Sequence, residues 1–188
     1  MKKNIMKKVV LISMFLMISC CMMAQNDSKK LSFAVGPVAY LPIGDYNNTY
    51  YNPGFGGEVE AAYKFSDKIE GFVQAGYSTF TGKTISYTYL GIPKSLDAPK
   101  LGYIPVLGGV RYTTGNFTFG AAAGVGIYST TDSTGGSFTY SPQIGYTIGN
   151  LQIVANMITT SVKTDYSLIK LANVTSISAV GIKLFYKF

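Results

Sequence analysis

The stretch "SFTYSPQIGYTIGNLQIVANMITT", residues 137–160, alternates on both sides of a Gly-Asn pair. Phe138, Tyr140, Pro142, Ile144, Tyr146 and Ile148 fall on one face, and Ser137, Thr139, Ser141, Gln143, Gly145 and Thr147 on the other. After Gly149-Asn150 the pattern resumes, with Leu151, Ile153, Ala155 and Met157 against Gln152, Val154 and Asn156. A period of two belongs to a strand with two unlike faces, and Gly-Asn between two such runs is tight-turn chemistry.

Working outward, the same alternation recurs in eight segments, at about 31–43, 54–65, 69–80, 101–112, 117–128, 137–148, 151–161 and 174–188. The first and fourth are less regular, because Val38, Pro105 and Leu107 fall on the wrong face. Short gaps ("SDK" at 66–68, "TTGN" at 113–116, "GN" at 149–150) alternate with longer ones rich in Asn, Tyr, Ser, Thr and Lys. All short turns therefore lie at one end of the strands and all long loops at the other. An up-and-down antiparallel barrel with one rim facing the periplasm and one facing outward has this arrangement. No sustained 3.6-residue period appears, and no apolar run after residue 24 is long enough for a spanning helix.

Residues 1–24, "MKKNIMKKVVLISMFLMISCCMMA", place four lysines before an apolar run and small residues, the layout of a secretory signal peptide. Cleavage after Ala24 leaves residues 25–188 as the barrel domain. "MISC" loosely resembles a lipobox, so lipidation of Cys20 is the rival reading. The leader carries four of the sixteen basic residues and no acid, leaving twelve bases against nine acids, net +3. Those 21 charged side chains among 164 residues are about half the ~25% share usual in soluble domains. Much of the surface faces something other than water. No basic stripe suits a nucleic acid.

Alternation leaves open whether the apolar face lines a cavity, as in a soluble lipocalin-like barrel, or meets lipid. Charge is scarce, and the opposite face is built from Gly, Ser, Thr, Gln and Ala. Aromatics gather at the strand ends. Phe33, Tyr63, Phe65, Tyr112, Phe117, Phe119, Tyr146, Tyr186 and Phe188 lie toward the short-turn rim; Phe55, Tyr77, Phe138 and Tyr140 lie toward the other. Two aromatic belts match two bilayer interfaces. The fold expected is an all-β, eight-stranded, antiparallel up-and-down transmembrane barrel behind a cleaved signal peptide.

"GPVAYLPIGDY" at 36–46, "IPVLGGVRY" at 104–112, "FTFGAAAGVGI" at 117–127 and the closing "GIKLFYKF" at 181–188 carry a resemblance. The chain resembles small eight-stranded outer-membrane beta-barrel domain proteins of Gram-negative bacteria. The resemblance implies a place in the outer membrane, with lipid around the barrel, long loops extracellular and termini periplasmic. It also implies that Ile182, Leu184, Tyr186 and Phe188 form a C-terminal signal read by the barrel-assembly machinery.

The chemistry expected is slight. The chain has no His and no Trp, and its two cysteines, Cys20 and Cys21, lie in the leader. A Ser-His-Asp hydrolase is excluded, zinc lacks Cys and His ligands, and no cofactor motif is present. Some related barrels are lipid A acyltransferases or deacylases, and their motifs use His. Glu58 and Glu60 could be taken for a catalytic pair, but they sit two apart on one strand face with no acid partner. Glu58, Glu60, Lys64, Glu70, Arg111, Lys183 and Lys187 all project inward in this register, three acids and four bases. Buried charges must be paired, so they are expected to form an ion-pair network plugging the lumen, Arg111 pairing across it with Glu58 and Glu60, and Gln and Asn hydrogen bonds around it. An eight-stranded barrel is barely wide enough for side chains. The Tyr-rich loops "DYNNTYYNP" and "GKTISYTYLGIPKSLDAPK" suit contact with an extracellular ligand or surface whose identity the sequence does not name. "DST" at 132–134 resembles a short O-glycosylation motif. The expected role is structural or surface contact without catalysis, with a narrow transport pore as the alternative and a secreted soluble ligand-binding, lipocalin-like barrel as the second.

Overall fold

The computed structural model describes residues 30–44, 49–89, 91–131, 134–161 and 176–188. The leader with Cys20, and Asp132-Ser133 of the "DST" stretch, lie outside them. Eight strands close a barrel: β1 (Leu31–Ile43), β2 (Tyr51–Lys64), β3 (Ile69–Gly82), β6 (Leu101–Thr114), β7 (Phe117–Ser129), β8 (Thr134–Ile148), β9 (Leu151–Ser161) and β10 (Ser176–Lys187). The order around the wall is β1-β10-β9-β8-β7-β6-β3-β2, every neighbouring pair antiparallel. The remaining strands, β4 (Thr84–Tyr89) and β5 (Ile92–Asp97), pair only with each other. They form a hairpin beyond the barrel rim, where the sequence reading expects a long loop. Its alternation is short and interrupted by Gly91-Ile92-Pro93, which hides it from a scan for longer strands.

The alternation sets the two faces. In β8, Thr139 and Ser141 are buried while Phe138, Tyr140 and Ile144 are exposed; in β9, Gln152, Val154 and Asn156 are buried while Leu151, Ile153 and Met157 are exposed. Two short turns use Gly in the left-handed region, Gly115 at φ 57° and Gly149 at φ 58°, as tight hairpins require. In the third, the Ser66 hydroxyl accepts from the Ile69 N–H and the Phe65 N–H donates to the Ile69 carbonyl.

The outer face is apolar on every wall strand, with Val73 61%, Ile182 60% and Ile148 60% exposed. An apolar surface that encircles the molecule is far larger than the patches soluble monomers leave open. Lipid, where closed barrels also satisfy every backbone group, is its solvent. At the short-turn rim the exposed rings pack edge-on in pairs: Phe117 with Tyr146, Tyr63 with Phe65, and Tyr186 with Phe188. Phe55, Tyr77, Phe138 and Tyr140 are exposed toward the other rim.

The lumen is filled in two unlike halves. Val38, Pro105 and Leu107, out of place in the alternation, point inward and are buried. Val38 and Leu107 cluster with Tyr40, Phe72, Phe80, Leu101, Tyr103 and Ile158 toward the long-loop side. The lumen expected as a polar plug throughout is therefore apolar and aromatic in one half. Four of these rings each occupy the space that a Cβ would need on an inward glycine: Tyr40 against Gly181, Phe80 against Gly54, Tyr103 against Gly126, and Phe72 against Gly109. A narrow barrel holds a large ring only where a facing strand lacks a side chain.

Candidate functional site

The charged side chains gather in the short-turn half, drawn from four strands. Glu58 and Glu60 come from β2, Glu70 from β3, Arg111 from β6, and Lys183 and Lys187 from β10. Inward parity puts Glu58 and Glu60 on the same side of β2, and antiparallel register sets Glu70 opposite Arg111 on the neighbouring strand.

Arg111 is the hub. Its Nη2 lies 2.5 Å from Glu60 Oε2 and its Nε 3.0 Å from Glu70 Oε1. Both contacts are close but lie off hydrogen-bonding directions, so they are Coulombic; its aligned hydrogen bond runs from Nη1 to Gln152 Oε1, at 3.3 Å. Gln152 passes the chain on by donating to the Thr118 hydroxyl. The face of Phe72 lies 4.1 Å from the guanidinium carbon, so the cation is also held against the ring quadrupole. Phe72 thus joins the charged half to the apolar one.

Lys183 and Glu58 form a second, separate pair, 2.7 Å apart and without solvent exposure on either side chain. The other Glu58 oxygen accepts a 2.6 Å hydrogen bond from the Tyr40 hydroxyl. Glu58 thereby meets a cation at one oxygen and a hydroxyl donor at the other. Arg111 takes Glu60 but not Glu58. Lys187 stands 3.9 Å from Glu70 at the rim and is partly exposed. Lys64 keeps the inward parity yet lies exposed at the short-turn end of β2, where the register sets it opposite Glu70. Ile182, Leu184 and Tyr186 line the outer face of β10 and Phe188 follows its last residue, all exposed.

Between the halves runs a neutral polar layer. Gln143 donates to Gln74 and Asn156 to Ser141; nearer the long-loop mouth, Thr139, Thr160 and Tyr103 share hydroxyl contacts of 2.8 and 3.0 Å. The sequence reading passed over the inward aromatics Tyr40, Phe72, Phe80, Tyr103 and Phe185. Their signal is parity: each stands on the side of its strand assigned to the lumen.

This arrangement can block a channel and brace a wall. It offers no unpaired acid for proton transfer, since Glu58, Glu60 and Glu70 each face a cation. Among the described residues, no group of three or more Cys, Asp or Glu is placed to hold a metal.

Residues 10–160 match the family model described as "Putative MetA-pathway of phenol degradation", most of the chain. The chain belongs to this family. No curated protein matches the sequence. Among solved structures, the chain is similar to the Yersinia pestis outer membrane protein Ail in a phospholipid bilayer nanodisc, with TM-score 0.54 and 12% identity over 85% of this chain and 99% of that one. It is also similar to the crystal structure of Ail, the attachment invasion locus protein, with TM-score 0.51 and 12% identity over 85% and 98%. Neisserial surface protein A aligns with TM-score 0.47 and 13% identity over 84% and 95%. At such identities the likeness to Ail concerns the fold alone, an eight-stranded antiparallel barrel.

Proposed function

We propose that the chain is a non-enzymatic outer-membrane barrel with a closed lumen, acting by structure and surface contact through its long-loop rim. On this reading residues 1–24 are a cleaved leader, the short turns and termini face the periplasm, and the long loops face outward. The barrel-assembly machinery reads Ile182, Leu184, Tyr186 and Phe188. The observation that supports the closed lumen is the solvent-free Lys183–Glu58 pair beside the Arg111 hub, both buried and drawn from strands on different sides of the barrel. Current through planar bilayers tests it. The wild type is expected to insert without steady conductance; a steady ohmic current would replace this reading with a narrow pore.

A second reading rests on the long-loop mouth, where Tyr40, Tyr51, Phe80, Leu101, Tyr103 and Tyr128 line an apolar cavity. The family's description names phenol degradation, which invites an intake role for small aromatics. The cavity holds about 30 Å³, enough for a water molecule or two but not a ring. Intake would need the mouth to widen and the plug to part. Saturable binding of phenol to the refolded barrel, lost in Leu101→Trp, is the result that would favour it.

A further inference from the structure

The β4–β5 hairpin has two chemically opposite faces. Directly opposed residues of an antiparallel pair share a face, and the register sets Ile85 against Leu96 and Tyr87 against Lys94, with Ile92 following on the same side. Tyr87, Ile92 and Leu96 are exposed there. The other face carries Thr84, Ser86, Ser95 and Asp97, with Thr84 Oγ1 donating to Asp97 Oδ1 at 2.6 Å. One side is apolar and basic; the other is hydroxylated and acidic.

The apolar side is aligned with the barrel's own exterior. Lipid-facing residues of β3 are odd-numbered (Val73, Tyr77), and Ile85 and Tyr87 keep that parity. Those of β6 are even-numbered (Ile104, Val106), and Ile92, Lys94 and Leu96 keep that one. The Ala98 N–H bonds the Lys83 carbonyl at 3.0 Å, so pairing continues between rim and hairpin. Below, on the outer wall, lies a groove of about 460 Å³, with Gly102 as its floor, Tyr77, Ile104 and Ile127 as its walls, and Lys100 and Thr131 at its upper edge. An isolated two-stranded sheet is marginal in water, so its apolar face needs a cover.

We propose that the hairpin face and this groove bind an anionic, phosphate-bearing acylated lipid of the surrounding leaflet. An acyl chain lies along Gly102 and Ile104, and the phosphate meets Lys100, with Lys94 on the hairpin above. Lipid is the occupant because the hairpin continues a surface already facing lipid, and because its basic side is complementary to an anionic headgroup. Tyr and Lys at this level suit the interface, an amphipathic ring and a long stem with a charged end.

The chain contains no Trp, so a single introduced Trp reports alone. Ile92→Trp, Ser95→Trp and, as a wall control, Val73→Trp are placed in nanodiscs of phosphatidylcholine with or without phosphatidylglycerol. With phosphatidylglycerol, Ile92→Trp should be quenched by headgroup-proximal brominated lipid and shielded from iodide, while Ser95→Trp stays open to iodide. Native mass spectrometry should show retained phosphatidylglycerol falling about fivefold for each of Lys94→Gln and Lys100→Gln, equivalent to about 1 kcal/mol per basic residue at an anionic surface. Equal iodide access at 92 and 95 in both discs overturns the proposal. So does shielding found only in discs holding two copies, which would make a second chain the cover. The inference rests on the barrel spanning lipid, and Val73→Trp separates the two: if it too is iodide-accessible, the spanning reading fails with it.

Discussion

Arg111 and Leu107 stand on the same face of β6, both pointing into the lumen and both nearly without exposure. Leu107 shares its cluster with Val38, Phe72 and Ala122; around Arg111 are two carboxylates, an amide and the Phe72 ring. The apolar half is stable by displacement of water and by contact, and tolerates imperfect geometry at a graded cost. The charged half starts from a large desolvation penalty that only complete pairing offsets. One barrel thus contains a region that fails gradually and a region that fails when a single partner leaves.

The sharpest test of that contrast is Arg111→Ala, which leaves Glu60 without its cation and Glu70 with only the rim Lys187 at 3.9 Å. A loss of ~3–5 kcal/mol is expected from urea unfolding in lipid, with current appearing where the wild type has none. A loss below ~1 kcal/mol would mean that water already reaches the carboxylates. Leu107→Ala comes next, at ~2–5 kcal/mol depending on how far the neighbours relax. It should leave conductance unchanged, because the void it makes is dry. Current from this variant would erase the distinction between the halves.

Gly181→Ala probes where the halves meet, since the added methyl would overlap the Tyr40 ring that donates to Glu58. Overpacking of this kind costs ~1–3 kcal/mol. Smallest in stability is Phe188→Asp, at ~0–1 kcal/mol for a charge at the bilayer rim. Its amount at the cell surface should nonetheless fall sharply if the assembly machinery reads that position. Normal surface levels would remove the signal from the proposal.

The barrel was legible because its strands keep one period over 11 to 15 residues and their turns announce themselves with Gly-Asn. The limits of β1 and β9 follow directly from the alternation, while β2, β3 and β8 run a few residues further toward the long-loop rim. Those extensions pass through Gly, Asn and Pro, where propensity says stop and a neighbouring strand says continue. The charged set, the exposed Lys64 apart, was legible by parity as inward, but its partners only in part, because pairing depends on strand adjacency and side-chain reach. Glu58 goes to Lys183 on β10, and Glu60 to Arg111 on β6. The apolar half was hidden for a different reason. Hydrophobic residues on the inner face of a membrane barrel break the expected pattern, so Val38 and Leu107 read as noise until Gly and ring are set opposite each other.

Gly36 sits on β1 in the closing seam, where a Cβ would run into the Leu184 carbonyl of β10. Over that bare backbone the Lys183–Glu58 pair reaches from β10 to β2, across the first strand rather than beside it. Until the first and last strands meet, both ions remain wet and both strand edges remain open to other chains. Closure is the most non-local event in the molecule, and pairing of such distant segments is intrinsically slow. The clasp then acts as a latch in time, complete only once the seam has met. Reopening has to rehydrate two charges at once, which favours slow dissociation of the seam over rapid formation.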